Sequence, residues 1–195
     1  MTTTKFSICS QALVMLGANP ISSFEDGTVE SDTAAELYDE ELEFLLCLHD
    51  WRFASKEDSL DRETSSSPEA GWDYIYTLPA GWLKTIKITK NDKPVEFDMV
   101  DGRIYTNASN DDADLVMEYI YDPGPAKYPP HFRLALRYAL AEAFSIPVTA
   151  DMDMAEKYGK VAERKLRQAK SIDSRQISTS HRRLLRGGRL IGVRS

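Results

Sequence analysis

Between Ser31 and Ala54 the chain reads SDTAAELYDEELEFLLCLHDWRFA, and Ala34, Leu37, Tyr38, Leu42, Leu45, Leu46 and Trp51 recur every three to five residues. Glu36, Asp39, Glu40 and Glu43 fall between them, the spacing of an amphipathic helix with one apolar and one acidic side. Ser31 and Asp32 are placed to accept from the free amides of its first turn, where acids also suit the positive pole of the dipole. The helix runs into His49-Asp50-Trp51-Arg52-Phe53-Ala54, and Tyr38, Leu45, Trp51 and Phe53 are expected as core anchors, following the burial habits of large apolar side chains. Upstream, Phe6, Cys9, Leu13 and Leu16 mark the buried side of a first helix that Thr3 or Thr4 can cap and Gly17 ends. The turn formers of residues 18–28 connect the two, with Ile21 and Phe24 able to plug down onto the helices. Residues 1–55 therefore read as a helical hairpin.

From Lys56 to Gly71 the composition turns polar, and Ser65-Ser66-Ser67-Pro68 marks a surface loop. The period then changes from helical to alternating, through Tyr74/Tyr76/Leu78, Leu83/Ile86/Ile88, Val95/Phe97, Ile104/Tyr105 and Val116/Glu118/Ile120. Residues 72–122 read as an antiparallel insertion of five strands, with Pro79-Ala80-Gly81, Asn91-Asp92-Lys93 and Asp101-Gly102 as its turns. Pro129-Pro130 opens a third helix with an apolar face of Phe132, Leu136, Ala139, Ala143 and Phe144 that stops at Pro147. Asp151 caps a fourth, carrying Met154, Tyr158, Val161, Leu166, Ala169 and Ile172 inward and Lys157, Lys160, Arg164, Lys165, Arg167 and Lys170 outward. The expectation is an α+β fold, mainly α: a four-helix body of residues 1–55 and 129–175, a polar loop at 56–71, a β insertion at 72–122 and an arm at 176–195.

Charge divides the chain. The net charge is -7, yet residues 164–195 hold ten Arg or Lys against one acid, Asp173, a balance of +9, leaving -16 over residues 1–163. An acidic body with a basic end calls for an acidic partner, either nucleic acid or protein. Within residues 176–195, Arg182, Arg183, Arg186, Arg189 and Arg194 alternate with Leu184, Leu185, Leu190 and Ile191, while Gly187-Gly188 interrupts any helix. No apolar run approaches the roughly 20 residues that span a bilayer, so no membrane is expected as a partner. The first residues lack the pattern of a secretory signal, which places folding in a cytoplasm. Cys9 and Cys47 sit in apolar helical patterns without ligand-spaced neighbours and read as reduced, buried thiols.

Catalytic patterns are missing. The sequence contains no Gly-rich phosphate loop, HExxH, GxSxG or paired Cys spacing, so neither cofactor nor metal is expected and the chain does not read as an enzyme. His49 and Asp50, adjacent on a helix, would point about 100° apart, too divergent for a base and its orienting carboxylate. His131 and His181 stand alone, and acid pairs such as Glu40-Glu41 and Asp111-Asp112 belong to an acid-rich surface.

Three patches together resemble the head-to-tail adaptor, or connector, proteins of tailed bacteriophages, of the tail tubular protein A and gatekeeper type found in short-tailed phages. The first is Ala12-Leu13, Leu16-Gly17 and Asn19-Pro20-Ile21 with Ser23-Phe24-Glu25-Asp26. The second is Ala34, Tyr38, Leu45-Leu46 and His49-Asp50-Trp51-Arg52-Phe53-Ala54, similar to the family's HPWNFA helix end with Asp50 and Arg52 departing from it. The third is Tyr76-Thr77-Leu78-Pro79-Ala80-Gly81-Trp82-Leu83-Lys84, similar to the family's Y-x-L-P-x-x-x-L-R hairpin. The resemblance implies a virion protein at the head-tail junction, assembled in the host cytoplasm into a ring of about twelve copies. Its partners would be the portal protein, a downstream tail or nozzle protein, its own copies, and genomic DNA that passes through the channel without specific binding. Arg182, Arg183, Leu184, Leu185, Arg186, Arg189, Leu190, Ile191 and Arg194 would then form a portal-binding arm. Two other classes stay open: a nucleic-acid-binding protein that sets the basic tail on phosphates, and a virion-associated cell-wall hydrolase, which would need two carboxylates about 5–10 Å apart in a cleft.

Overall fold

The structure, a computed structural model, describes residues 3–68 and 71–176. Helices α1 (Lys5–Met15) and α2 (Val29–Cys47) come first, and a 3-10 turn at Arg52–Ala54 follows them. Eight strands come next: β1 (Ser55–Ser59), β2 (Arg62–Glu63), β3 (Tyr74–Thr77), β4 (Lys84–Lys90), β5 (Lys93–Pro94), β6 (Phe97–Val100), β7 (Arg103–Thr106) and β8 (Leu115–Ile120). Helices α3 (Pro130–Thr149) and α4 (Met152–Ser174) complete the described chain. It divides into two compact units, one of residues 3–5 and 35–128, the other of residues 6–34 and 129–176.

The expected mainly helical, four-helix body with a single five-stranded insertion gives way to a different architecture. Among the described residues there are four helices and the β region does lie between α2 and α3, but that region forms two four-stranded antiparallel sheets, ordered β1-β8-β4-β5 and β2-β3-β7-β6. The stretch from Lys56, expected as a polar loop, supplies most of β1 and all of β2. Its sequence SKEDS has no apolar alternation because β1 is an edge strand held by the ladder to β8, in register Ser55 with Ile120 through Ser59 with Val116. Polar cross-strand bonds reinforce it: Ser55 Oγ donates to Glu118 at 2.9 Å, and Tyr119 Oη to Asp58 at 2.6 Å.

The expected hairpin of β3 with β4 is also absent, since the two strands lie in different sheets. Pro79 has no amide to extend a ladder, and Leu83 N instead donates to Ile120 O at 2.9 Å, starting the pairing of β4 with β8. The other two turns are tight hairpins. Asn91 and Asp92 take φ of 50° and 62° between β4 and β5, and Asp101 and Gly102 take 51° and 70° between β6 and β7, the left-handed pairs that match strand twist. Between the sheets lies an apolar core of Leu60, Tyr76, Ile88, Ile104, Leu115, Met117 and Tyr119.

Helix α2 begins at Val29, so Thr28 rather than the expected Ser31 stands at the cap. Ser31 N donates to Thr28 Oγ1 at 3.2 Å and Thr28 N to Ser31 Oγ at 3.0 Å, a reciprocal box in which serine takes the place of the usual acid or amide. The helix stops at Cys47, before Trp51. Trp51 folds back, its Nε1 donating to Leu45 O at 2.9 Å and so satisfying a carbonyl of the last turn. In the other unit α3 continues past Pro147 to Thr149, further than expected. Pro147 falls in the last turn, where Ser145 and Thr149 hydroxyls bond back to the carbonyls of Ala141 and Ser145, each at 2.6 Å.

Candidate functional site

The surface feature that best fits a partner lies on α4. Asp151 caps the helix, its carboxylate accepting from Met154 N at 2.9 Å. One side is built to sit close against α3: Ala162 and Ala169 are buried, and a Cβ built on Gly159 would stand 2.7 Å from Glu142 Oε1. Tyr158 Oη donates to Met15 O, and Arg137 on α3 donates to Gln11 at 2.9 Å, so α1 belongs to the same unit. Burial pushes the Glu142 carboxyl up, aided by Glu163. Asp173, near the end of α4, is 1% exposed. Burial holds the His131 imidazole below its ordinary range, although the Asp173 charge works the other way.

The opposite side of α4 is a stripe. Arg164, Arg167, Gln168, Ser171, Ile172 and Arg175 share one helix face, each with a neighbour three or four residues away, and line an open hollow of about 450 Å³. Ile172, expected to face inward, is instead 46% exposed within this stripe. Arg167 lies 3.8 Å from Glu163 and Lys160 bonds to Glu156, pairs one turn apart with both partners well exposed, so each is worth little. Lys160 holds the Glu156 carboxyl below its usual range. The residues expected to form a docking arm, Arg182 to Arg194, lie outside the described residues, as does His181.

The expected core anchors lie in the unit that holds the sheets. Tyr38, Leu45 and Trp51 are fully buried, whereas Phe53 is only half-buried, tilted against Trp51 at 5.8 Å and Tyr128 at 6.0 Å. Beside them, burial and donation to Asp122 push the Tyr128 hydroxyl far above its ordinary value. Asp50 accepts from Lys84 at 2.8 Å, and the ring of His49 stands edge-on to Trp51 at 4.8 Å. Cys9 is buried, while Cys47 is half-buried with its thiol pushed up by burial. Asp111 and Asp112 are exposed and tied to Arg62 and Lys90, with Lys90 holding Asp112 below the usual carboxylate range. Among the described residues no group of three or more His, Cys, Asp or Glu could hold a metal ion, and no helix is long and apolar enough to cross a membrane. No protein-family model matches the chain, and no curated protein matches it.

Proposed function

We propose that the chain is a structural virion protein, a head-to-tail adaptor that joins portal to tail, extends the DNA channel and takes part in retaining and releasing the genome. The observation that carries the reading is the α4 stripe, in which arginines flank an exposed isoleucine around an open hollow. The sequence beyond it repeats that chemistry, with Arg182, Arg183, Arg186 and Arg189 among Leu184, Leu185 and Leu190. A segment of this kind suits an acidic, partly apolar groove on a protein partner. Membrane contact has no such support, and base stacking would need aromatics that residues 164–195 lack.

Under this reading residues 176–195 dock on the portal protein, a tail or nozzle protein binds on the far side, and about twelve copies close a ring at the head-tail junction. The excess of acids over residues 1–163 suits a channel through which DNA slides without sticking. Mixing the full-length protein with purified portal rings and weighing the product by mass photometry tests it. Saturable growth by about twelve copies is expected, and a chain lacking residues 176–195 should stay folded and fail to join. Portal binding that survives the deletion overturns the arm assignment. No complex, together with duplex DNA binding that falls with salt at a log-log slope of about -0.9 per neutralised phosphate, favours the nucleic-acid reading instead.

A further inference from the structure

Helix α2 carries a surface complementary in charge to that of α4. Its exposed side presents Glu36, Asp39, Glu40 and Glu43 at three- and four-residue steps, followed by Phe44 at 59% and Leu48 at 37% exposure. Asp39 pairs with Lys5 at 2.6 Å, but among the described residues Glu36, Glu40 and Glu43 have no ion-pair partner. On α4 the same holds for Arg164 and Arg175. Both helices therefore offer a solvent-facing row of one charge sign beside an exposed apolar side chain, one row acidic and the other basic. At the helical rise the acidic row spans about 10 Å from Glu36 to Glu43, within the about 16 Å from Arg164 to Arg175.

We propose that these two surfaces bind each other between copies of the chain, the acidic row of α2 in one copy receiving the basic row of α4 in the next. Single exposed ion pairs are weak, but a row against a row sums several of them, excludes water from Phe44, Leu48 and Ile172, and fixes one orientation. The two surfaces differ, so the contact is heterologous: each bound copy leaves one acidic and one basic row open, and repetition yields a closed ring or an open filament. The inference deepens the adaptor reading, on which the closed ring rests; the contact itself stands on the two helix surfaces. A polyanion lying on α4 is the competing occupant, and it would be indifferent to α2.

The test uses full-length protein in sedimentation velocity over a dilution series, at low and raised salt. Two variants join the wild type, one with Glu36→Lys, Glu40→Lys and Glu43→Lys, the other with Arg164→Glu, Arg167→Glu and Arg175→Glu. Wild type should self-associate with concentration and dissociate as salt rises, and each variant alone should associate at least about tenfold more weakly. An equimolar mixture of the two should recover association, because each then offers the other two complementary rows. Circular dichroism checks the helices, and the single pair Glu40→Lys with Arg164→Glu replaces the triples if either misfolds. Wild type that stays monomeric at low salt, variants that associate as wild type does, or a mixture that fails to recover each overturns the proposal. Portal binding measured on the same samples separates the readings. Self-association that depends on the rows without portal binding sinks only the adaptor function, and portal binding with association indifferent to the rows sinks only this contact.

Discussion

Replacing Trp51 tests how the end of α2 is held. The indole is fully buried, and its Nε1 reaches Leu45 O at 2.9 Å. An indole of this kind removes about 150–250 Å² from water, which at roughly 25 cal/mol per Å² is worth about 4–6 kcal/mol. Trp51→Ala, which also leaves a cavity, is therefore expected to cost about 3–5 kcal/mol, a large part of a typical domain's stability. Trp51→Phe separates the hydrogen bond from the packing. It keeps an aromatic ring in the site but leaves the Leu45 carbonyl buried without the indole N–H, for a cost of about 1–3 kcal/mol. Urea unfolding followed by near- and far-ultraviolet circular dichroism measures both. If Trp51→Phe falls within about 0.5 kcal/mol of wild type, the carbonyl does not depend on the indole and the reasoning fails.

Two further substitutions probe the unit that holds α3 and α4. Gly159→Ala should stabilise by about 0.5–1 kcal/mol through helix propensity, because the new methyl meets only the mobile end of Glu142, which can swing out; a thermal melt reads the gain, and a carboxyl NMR titration should show the raised Glu142 pKa relaxing toward its ordinary value. His131 has a folded pKa below its ordinary 6.5, so the unfolded chain binds the extra proton first, and the contribution present above about pH 6.5 is lost as pH falls through the interval down to the folded value. His131→Gln should flatten that loss, seen as urea midpoints that differ less between pH 7 and pH 5 than in wild type; equal slopes in both proteins refute the assignment.

The legible parts of the sequence were those where one local signal decides the structure. Asp151 starts α4 because a short acid before a helical period has no better use, and Asn91-Asp92 and Asp101-Gly102 turn because those residues tolerate left-handed backbone. Where partners distant in sequence decide, the sequence misleads. Strand β1 is polar throughout, and its place depends on β8 some 60 residues later. The link from Leu78 to Trp82 looks like a hairpin turn, yet it passes from one sheet to the other because Leu83 finds Ile120. On the α4 surface the basic positions are visible from their period, but hydrophobicity alone points Ile172 inward, where its exposure contradicts it. Phe44 stands at the end of an otherwise acidic row, and only its exposure gives it meaning.

The division of the chain has a consequence for the order of its synthesis. The unit with both sheets takes residues 35–128 in one run besides residues 3–5, whereas the other joins residues 6–34 to residues 129–176. Helix α1 leaves the ribosome before α3 and α4, and Gln11 meets Arg137 and Met15 meets Tyr158 only after 126 and 143 further residues have been made. At about 5–20 residues per second α1 waits roughly 6–30 seconds with its apolar side uncovered, long enough for the sheets to form before it. A helix translated ahead of its packing partners is thus among the last to be buried, and Ile8 and Leu13 are what a chaperone would meet on the nascent chain.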